Sequence, residues 1–573
     1  MSVSLSNPAT SITPNWGVRH SAAEYRFGGR TGPLRFYPFF HAGSGALLQS
    51  RPGAGALGLE EVAKRASLSK GERRVQRVLE VAPGALTWTI LIAPVVASFL
   101  FAPYIAVAIF LVDVYWFVRT ATVVIGIRGT YRKMKRVMLE DWWQRCLALA
   151  VSPATVDPHR IVHAVLIPTY TEPYSILRET VRAIAEAHYP AENKVLAIIT
   201  RESDRPGWEN VHRLQQEFGG RMRAFIHIKD PLLPGIVVGK SAAMAYGGPV
   251  LRRELEAMGL DPKDVIVTDL DSDFRVHRQY FAYVTYKYVQ DPRRLECLFQ
   301  PIPMFHNNLW RVPFAVRIMA SACTQWQMFL SSRPDRLVAF SSYSMSLDLV
   351  IKADYWDDDV IPEDSRFYWK SFFATHGRLK MVPVFLPIYG DAPEASDRGM
   401  PWERVKTHAN QYNQIKRWAW GVSDVPYATV RLLRHPEIPL WLRARRYGYM
   451  IFNHLTWATL PLLLLFGAAL PRMLSEDWNL TLAADQLGLY AFILINIAFL
   501  NIAALILVER RINPPMPRTW GVPHQIWAYV QLGLYPIVGL LFSVLPALEA
   551  QTRLMLGMYL EYQVTEKVSE GTA

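Results

Sequence analysis

The chain is short of cysteine and of charge. Its 573 residues include three cysteines, Cys146, Cys297 and Cys323, far apart and without CxxC spacing. An odd, scattered set frames neither a disulfide scaffold nor a zinc site, and it suits a reducing compartment. Charged residues make up 19% against 51% hydrophobic. That balance points to a membrane protein with a sizeable soluble part. No Lys/Arg block of nucleic-acid type occurs, although the net charge is +13. The basic residues gather beside apolar runs, which favours a lipid bilayer and an anionic substrate and argues for no nucleic acid. The beginning of the chain lacks the apolar core of a secretory signal. Residues 1–80, rich in Gly, Ser, Pro and Arg at their start, read as a basic, disordered cytosolic tail.

What is present begins with apolar length. From Leu86 to Val112 no residue is charged, and apolar character runs on to Ile127. A helix needs about 20 such residues to span a bilayer. Residues 84–127 therefore read as two transmembrane helices broken near Ala102-Pro103, with one long tilted helix as the alternative. Asp113 and Arg119 fall in the second span, either paired with each other or facing a polar cavity. Arg128, Arg132, Lys133, Lys135 and Arg136 then mark a cytoplasmic end. Residues 447–548 hold about three more spans, with an acidic loop at Glu476, Asp477 and Asp485 and a basic one at Arg510, Arg511 and Arg518. Pro536 allows a kink or re-entrant segment in the last span, and the acidity of residues 549–573 favours the outer side for that tail.

Between these regions, residues 155–430 alternate short apolar strands with amphipathic helices. Strands are expected at Ile161–Ile167, Val195–Thr200, Met222–Ile228, Val265–Asp269 and Leu295–Ile302, and helices at Tyr174–His188 and Ser241–Met258. This rhythm implies an α/β domain with a mainly parallel sheet, inserted between transmembrane α-helices. Ligands of such sheets lie beyond the carboxyl ends of the strands. Those ends carry Thr169 to Glu172, Arg201-Glu202-Ser203-Asp204, and Asp269-Leu270-Asp271-Ser272-Asp273. Asp271 and Asp273 leave an extended segment on one side and can share one Mg²⁺ or Mn²⁺, with Asp269 as a rival ligand.

Further along, Glu363 and Asp364 precede a helical stretch at Phe367 to Phe373, as helix-capping acids or as reactive ones. The nearby Asp357, Asp358 and Asp359 read as solvated turn residues. Gln414, Arg417 and Trp418 occupy one face of a helix near 400–421, which Trp402 and Trp420 mark as interfacial. The stretch Gly235 to Ser241 has three residues between its glycines, one short of a phosphate-binding P-loop. Lys240 after it either opens an anion-favouring helix or is a surface lysine.

Taken together, DxD, then Glu363-Asp364, then Gln414-x-x-Arg417-Trp418, beside apolar spans, resembles the family 2 glycosyltransferases over Ile161 to Gly421. The likeness is to their processive membrane-embedded branch, which includes cellulose, hyaluronan and chitin synthases. The resemblance implies a GT-A fold and a nucleotide-sugar donor, UDP-type favoured, with Mg²⁺ or Mn²⁺ on Asp271 and Asp273. It implies Asp364 as general base of an inverting transfer and Arg417 as a planar grip on the diphosphate. Thr169, Glu172, Glu202 and Lys240 would contact the donor, Glu202 at the nucleobase; Glu363, Gln414 and Trp418 would meet the acceptor. The sequence departs from the family at Glu202, where two adjacent acids are usual, and at Phe340 to Ser346, where a Gly-rich strand is usual. Tyr559 to Lys567 looks like the cellulose synthase gating segment, which would put the tail in the cytoplasm against its charge.

The function so implied is extension of a polysaccharide at the cytoplasmic face of the plasma membrane, by a multi-pass protein whose helices could pass the product outward. Single transfer to a polyprenyl phosphate lipid is the alternative within the class. Outside it stands a transporter or receptor with a nucleotide-binding cytosolic domain.

Overall fold

The computed structural model describes residues 24–27, 30–33, 70–149, 156–231, 239–395 and 401–560. Most of the expected tail at 1–80, part of the Gly235 loop and the residues after Leu560 lie outside these. Within the tail, β1 (Glu24–Phe27) pairs antiparallel with β2 (Arg30–Pro33). The first helix, α1 (Lys70–Val137), starts inside the stretch expected to be tail.

After the short α2 (Trp142–Leu147), the middle of the chain runs β3 (Val162–Pro168), α3 (Tyr174–Ala185), β4 (Lys194–Arg201), α4 (Arg205–Phe218), β5 (Ala224–Asp230), α5 (Lys240–Ala257), β6 (Val265–Asp269) and β7 (Arg275–Val276). It continues α6 (Tyr280–Gln290), β8 (Cys297–Met304), α7 (Phe314–Ser331), β9 (Tyr343–Ser346), α8 (Leu347–Lys352), α9 (Glu363–Ala374) and β10 (Lys380–Tyr389). The eight strands from β3 onward form one sheet in the order β5-β4-β3-β6-β9-β8-β10-β7. Pairings β5-β4-β3-β6 and β8-β10 are parallel, while β9 runs antiparallel between β6 and β8 and β7 is antiparallel at the edge. The sheet is thus mixed at its centre, where β9 inserts Tyr343 to Ser346 against the strand that ends in Asp269.

Strands β3, β4, β6 and β8 are buried throughout, which is why they read as unbroken apolar runs. Their side chains still alternate between two cores. Val162, Ala164 and Leu166 face α5 and Ile127 and Met134 of α1, whereas Val165 and Ile167 face α3, α4 and α6.

The remaining helices are α10 (Pro401–Ala419), α11 (Asp424–Arg434), α12 (Leu440–Phe466), α13 (Leu470–Leu474), α14 (Glu476–Asn479), α15 (Leu482–Ile512), α16 (Val522–Val530), α17 (Tyr535–Gly539) and α18 (Leu545–Leu556). Among the described residues, four helical stretches are long and apolar enough to cross a membrane: Arg73–Val137, Leu440–Leu474, Leu482–Ile512 and Val522–Leu556. In α1 the expected break falls at Phe101, whose φ of −132° and ψ of 34° are non-helical, two residues before Pro103. Near the break, Ala102 packs on Trp478 and Ala484, beyond the far end of α12. Both outer ends return to the sheet domain: Thr130 donates to Met328 O at 2.8 Å, and Glu80 accepts from Tyr559, which packs on Trp420.

The packing decides between the alternatives stated for these helices. Asp113 and Arg119 do not pair: Arg119 bonds Tyr115 Oη at 2.7 Å and lies over the Trp326 ring, while the Asp113 carboxylate is buried elsewhere. The last stretch is also no straight crossing. It breaks into α16, α17 and α18 and lies along α7 and α10, with Leu532 and Val538 against Ile318 and Ile415, and Phe542 against His408. Pro536 and Pro546 interrupt its hydrogen-bond ladder, so the segment follows the helices beneath it. Tyr559 therefore packs against Trp420 just after α10. The remainder of the gating-like segment lies outside the described residues.

Candidate active site

The strand ends converge as parallel α/β topology requires. Lys240, at the first position of α5, reaches into four carboxylates with its side chain only 11% exposed. Its ammonium stands 2.8 Å from Asp271, 3.2 Å from Asp269, and 3.4 Å from both Glu363 and Asp364; it also donates to Ser341 O at 2.7 Å. It is not a surface lysine. Burial works against its charge, but the four carboxylates outweigh burial and hold it protonated. Burial pushes the acids the other way. Asp269 rises to about 7, and Glu363 and Asp364 also rise, first because all three are buried and then because one ammonium does not neutralise four carboxylates.

Asp269 and Asp271 separate by position. Asp269, the last residue of β6, is fully buried under Lys240, whereas the Asp271 side chain is 27% exposed and faces a cavity. Asp273 lines the same cavity and accepts from the Asp391 backbone N–H at 3.3 Å. Asp271 and Asp273 offer only hard oxygen donors beside a cluster short of positive charge, so the residues present fit a divalent ion such as Mg²⁺ or Mn²⁺.

Glu363 and Asp364 form the first turn of α9, behind Pro362, which offers no capping side chain. Asp364 Oδ2 accepts from Ser341 N–H at 2.6 Å, and the Ser341 hydroxyl donates to Asp271 Oδ2 at 2.6 Å. One residue thus links the two acids expected to serve as base and metal ligand. Ser341 holds φ +59°, uncommon for a residue with a Cβ. Nothing in the local sequence marks this serine; only the fold of the loop before β9 reveals it.

Around the acids, the cavity of about 840 Å³ is also lined by Thr169, Glu172, Gln414, Arg417 and Trp418. The Glu172 carboxylate accepts from Ser272 Oγ at 3.0 Å, which ties the β3 end to the DxD turn. Trp418 stands edge-on to Phe340, with ring centroids 5.2 Å apart. Glu202 is not among the lining residues. Its neighbour Arg201 is, and Arg201 is ion-paired with Asp230 at the end of β5. The reading of Asp357 and Asp358 as solvated turn residues is wrong, since both are buried. Asp357 pairs with Lys370 at 2.7 Å and Arg366 at 3.2 Å, and Arg366 meets Asp424 at 2.8 Å.

Away from the acids, the same cavity continues between the apolar helices, past Trp326, Asn453 and Trp457 to Leu464, Ile495 and Leu505. Arg119 and Arg336 share this wall. Helix α10 is held over it from the other side, with Tyr412 and Lys416 bonded to Glu549 of α18 at 2.8 and 3.1 Å. These helix residues carry no motif, and only the packing shows that they line a shared space.

No protein-family model and no curated protein matches the chain. Among solved structures, a mannosyltransferase from Pyrobaculum calidifontis, in complex with GDP-mannose and Mn²⁺, is 16% identical, over 73% of this chain and 97% of that one, with a TM-score of 0.38. TarS from S. aureus, in complex with UDP-GlcNAc, is 11% identical over 70% of this chain and 93% of that one, with a TM-score of 0.31.

Proposed function

We propose that the chain is a membrane-integral, metal-dependent inverting glycosyltransferase that extends a polysaccharide from a nucleotide-sugar donor at the cytoplasmic face. One observation carries this reading: Asp271, Asp273, Asp364, Arg417 and Trp418 line a single cavity that runs on between the apolar helices. Donor chemistry and a route into the membrane helices then belong to one space.

In this reading Asp271 and Asp273 hold Mg²⁺ or Mn²⁺, which supplies positive charge beside the diphosphate leaving group. Arg417 grips the diphosphate with its planar fork. Thr169 and Glu172 bound the donor pocket at the β3 end, and Lys240 keeps the carboxylate cluster ordered beneath it. Trp418 stacks on the acceptor sugar while Gln414 bonds one of its hydroxyls. Asp364 takes the proton of the attacking hydroxyl as the new glycosidic bond forms and the bond from the anomeric carbon to the diphosphate breaks, inverting that carbon. Ser341 N–H and the Lys240 ammonium, both on Asp364, hold that carboxylate in place for the transfer. A receptor that only bound nucleotide would need no such base.

A second reading has its own support. Arg119 and Arg336 beside Leu460, Leu464 and Leu505 also suit the phosphate and chain of a polyprenyl phosphate acceptor. Purified protein in nanodiscs, given UDP- and GDP-sugars with Mg²⁺ or Mn²⁺, tests both. Water-soluble product of growing length supports the polysaccharide, and a single solvent-extractable glycolipid supports the lipid. Asp364→Asn should lower nucleotide release by about 10²–10⁴-fold while donor binding persists; unchanged turnover would sink Asp364 as the base.

A further inference from the structure

A second cluster of metal-ligating side chains lies at the other end of α9, away from the carboxylates. His376, two residues past the helix, and His435 and Glu437, between α11 and α12, place three ligand atoms within 4.8 Å of one another. Glu437 Oε1 stands 2.6 Å from His435 Nδ1 and 3.1 Å from His376 Nδ1. These are hydrogen bonds to the carboxylate; ligand atoms on one tetrahedral zinc ion would lie about 3.3–3.4 Å apart, so the ion would replace both bonds with a small outward shift of the exposed Glu437 carboxylate. The three residues line neither described cavity.

The loops that carry these residues are fixed. Gly377, at φ +78°, lies so close to Ile438 that a Cβ there would meet Ile438 Cγ2 at 2.9 Å, and Ile438 is fully buried. The His435 ring stacks on Phe373, with centroids 5.1 Å apart and planes 22° apart. The His376 and Gly377 N–H groups close the end of α9 onto Phe373 O and Phe372 O. The His435 imidazole is therefore set by packing, while the His376 and Glu437 side chains, 57% and 44% exposed, open the cluster to solvent.

We propose that His376, His435 and Glu437 form a zinc site that clamps the end of α9 to the loop leading into α12. Two imidazole nitrogens and one carboxylate oxygen make a borderline donor set that selects Zn²⁺ over the Mg²⁺ or Mn²⁺ suited to oxygen donors alone. A water from the exposed side completes four-coordination. Because these residues line neither described cavity, the role we assign the ion is to hold the helix that carries Glu363 and Asp364 against the loop that begins the next apolar helix.

The test uses tag-free full-length protein in nanodiscs, stripped with chelator and titrated with Zn²⁺ under excess Mg²⁺ against a chromophoric competitor. Wild type should take up one equivalent. His435→Ala and Glu437→Gln should each weaken it at least tenfold, whereas Asp271→Asn should keep it. Zn²⁺ should raise the thermal midpoint of wild type and leave those of the two loop variants unmoved. Should a loop variant fail to fold, Co²⁺ added to wild type still decides: intense tetrahedral d–d bands are expected. Their absence, or no saturable Zn²⁺ equivalent, or undiminished uptake by folded variants, overturns the site.

Discussion

At the start of α9, Glu363 and Asp364 join Asp269 and Asp271 around the single ammonium of Lys240. One turn later, Arg366 and Lys370 meet Asp357 and Asp424, two cations with two carboxylates. Both clusters are buried and hydrogen-bonded, and both sit on one helix. They differ in balance. The first is left with excess negative charge, a costly state unless a cation or a protonated partner arrives. The second is close to neutral and needs nothing further. Uncompensated charge marks the place for chemistry, and compensated charge marks architecture.

Removing the acid expected to move a proton is the hardest way to break this contrast. Asp364→Asn should lower turnover by about 10²–10⁴-fold, read as nucleotide release, with little change in thermal midpoint. In the balanced cluster the effects should reverse. Arg366→Met removes the cation paired with Asp424, leaves Asp357 with Lys370 alone, and should cost about 3–5 kcal/mol of stability, measured by thermal or denaturant unfolding in nanodiscs. Should Arg366→Met prove neutral for stability, the division between the clusters fails.

The pH dependence sharpens the comparison at the first cluster. Asp269 titrates at about 7, and Glu363 and Asp364 are raised beside it. Lowering the pH protonates Asp269 and also Glu363 and Asp364, whose pKa values burial raises, so in the proposed reading the rate should fall on the acid side. Because the groups are coupled, the fall should be steeper than one proton gives. An acid limb absent under saturating donor and metal would count against these carboxylates as the reacting set. The smallest effect is expected at the linker. Ser341→Ala removes one hydroxyl bond to Asp271 and keeps the backbone bond to Asp364. Its cost should be about 1 kcal/mol, seen as a few-fold loss in kcat/KM.

Much of the site was legible because its residues are close in sequence. Asp271 and Asp273 follow an apolar β-branched run, Glu363 and Asp364 open a helix, and Gln414, Arg417 and Trp418 share a helical face; periodicity and spacing expose all three groups. The base contact expected of Glu202 had no such support, and in the structure its neighbour Arg201 lines the cavity. Asp357 was misread for a related reason. Its partners Arg366 and Lys370 lie 9 and 13 residues on, and a run of three aspartates looks solvated until those cations fold over it.

Composition and local pattern by themselves determined that this chain has apolar helices flanking an α/β domain, and which acids end its strands and begin its helix. Those features depend on neighbours within a few residues, where side-chain periodicity acts directly. Tertiary structure alone decided that Lys240 sits among the acids, that Ser341 joins two of them, that the last apolar stretch lies along α10, and that His376 meets His435 and Glu437. Each of these joins segments far apart in the chain, and only packing and charge compensation in the folded state bring such segments together.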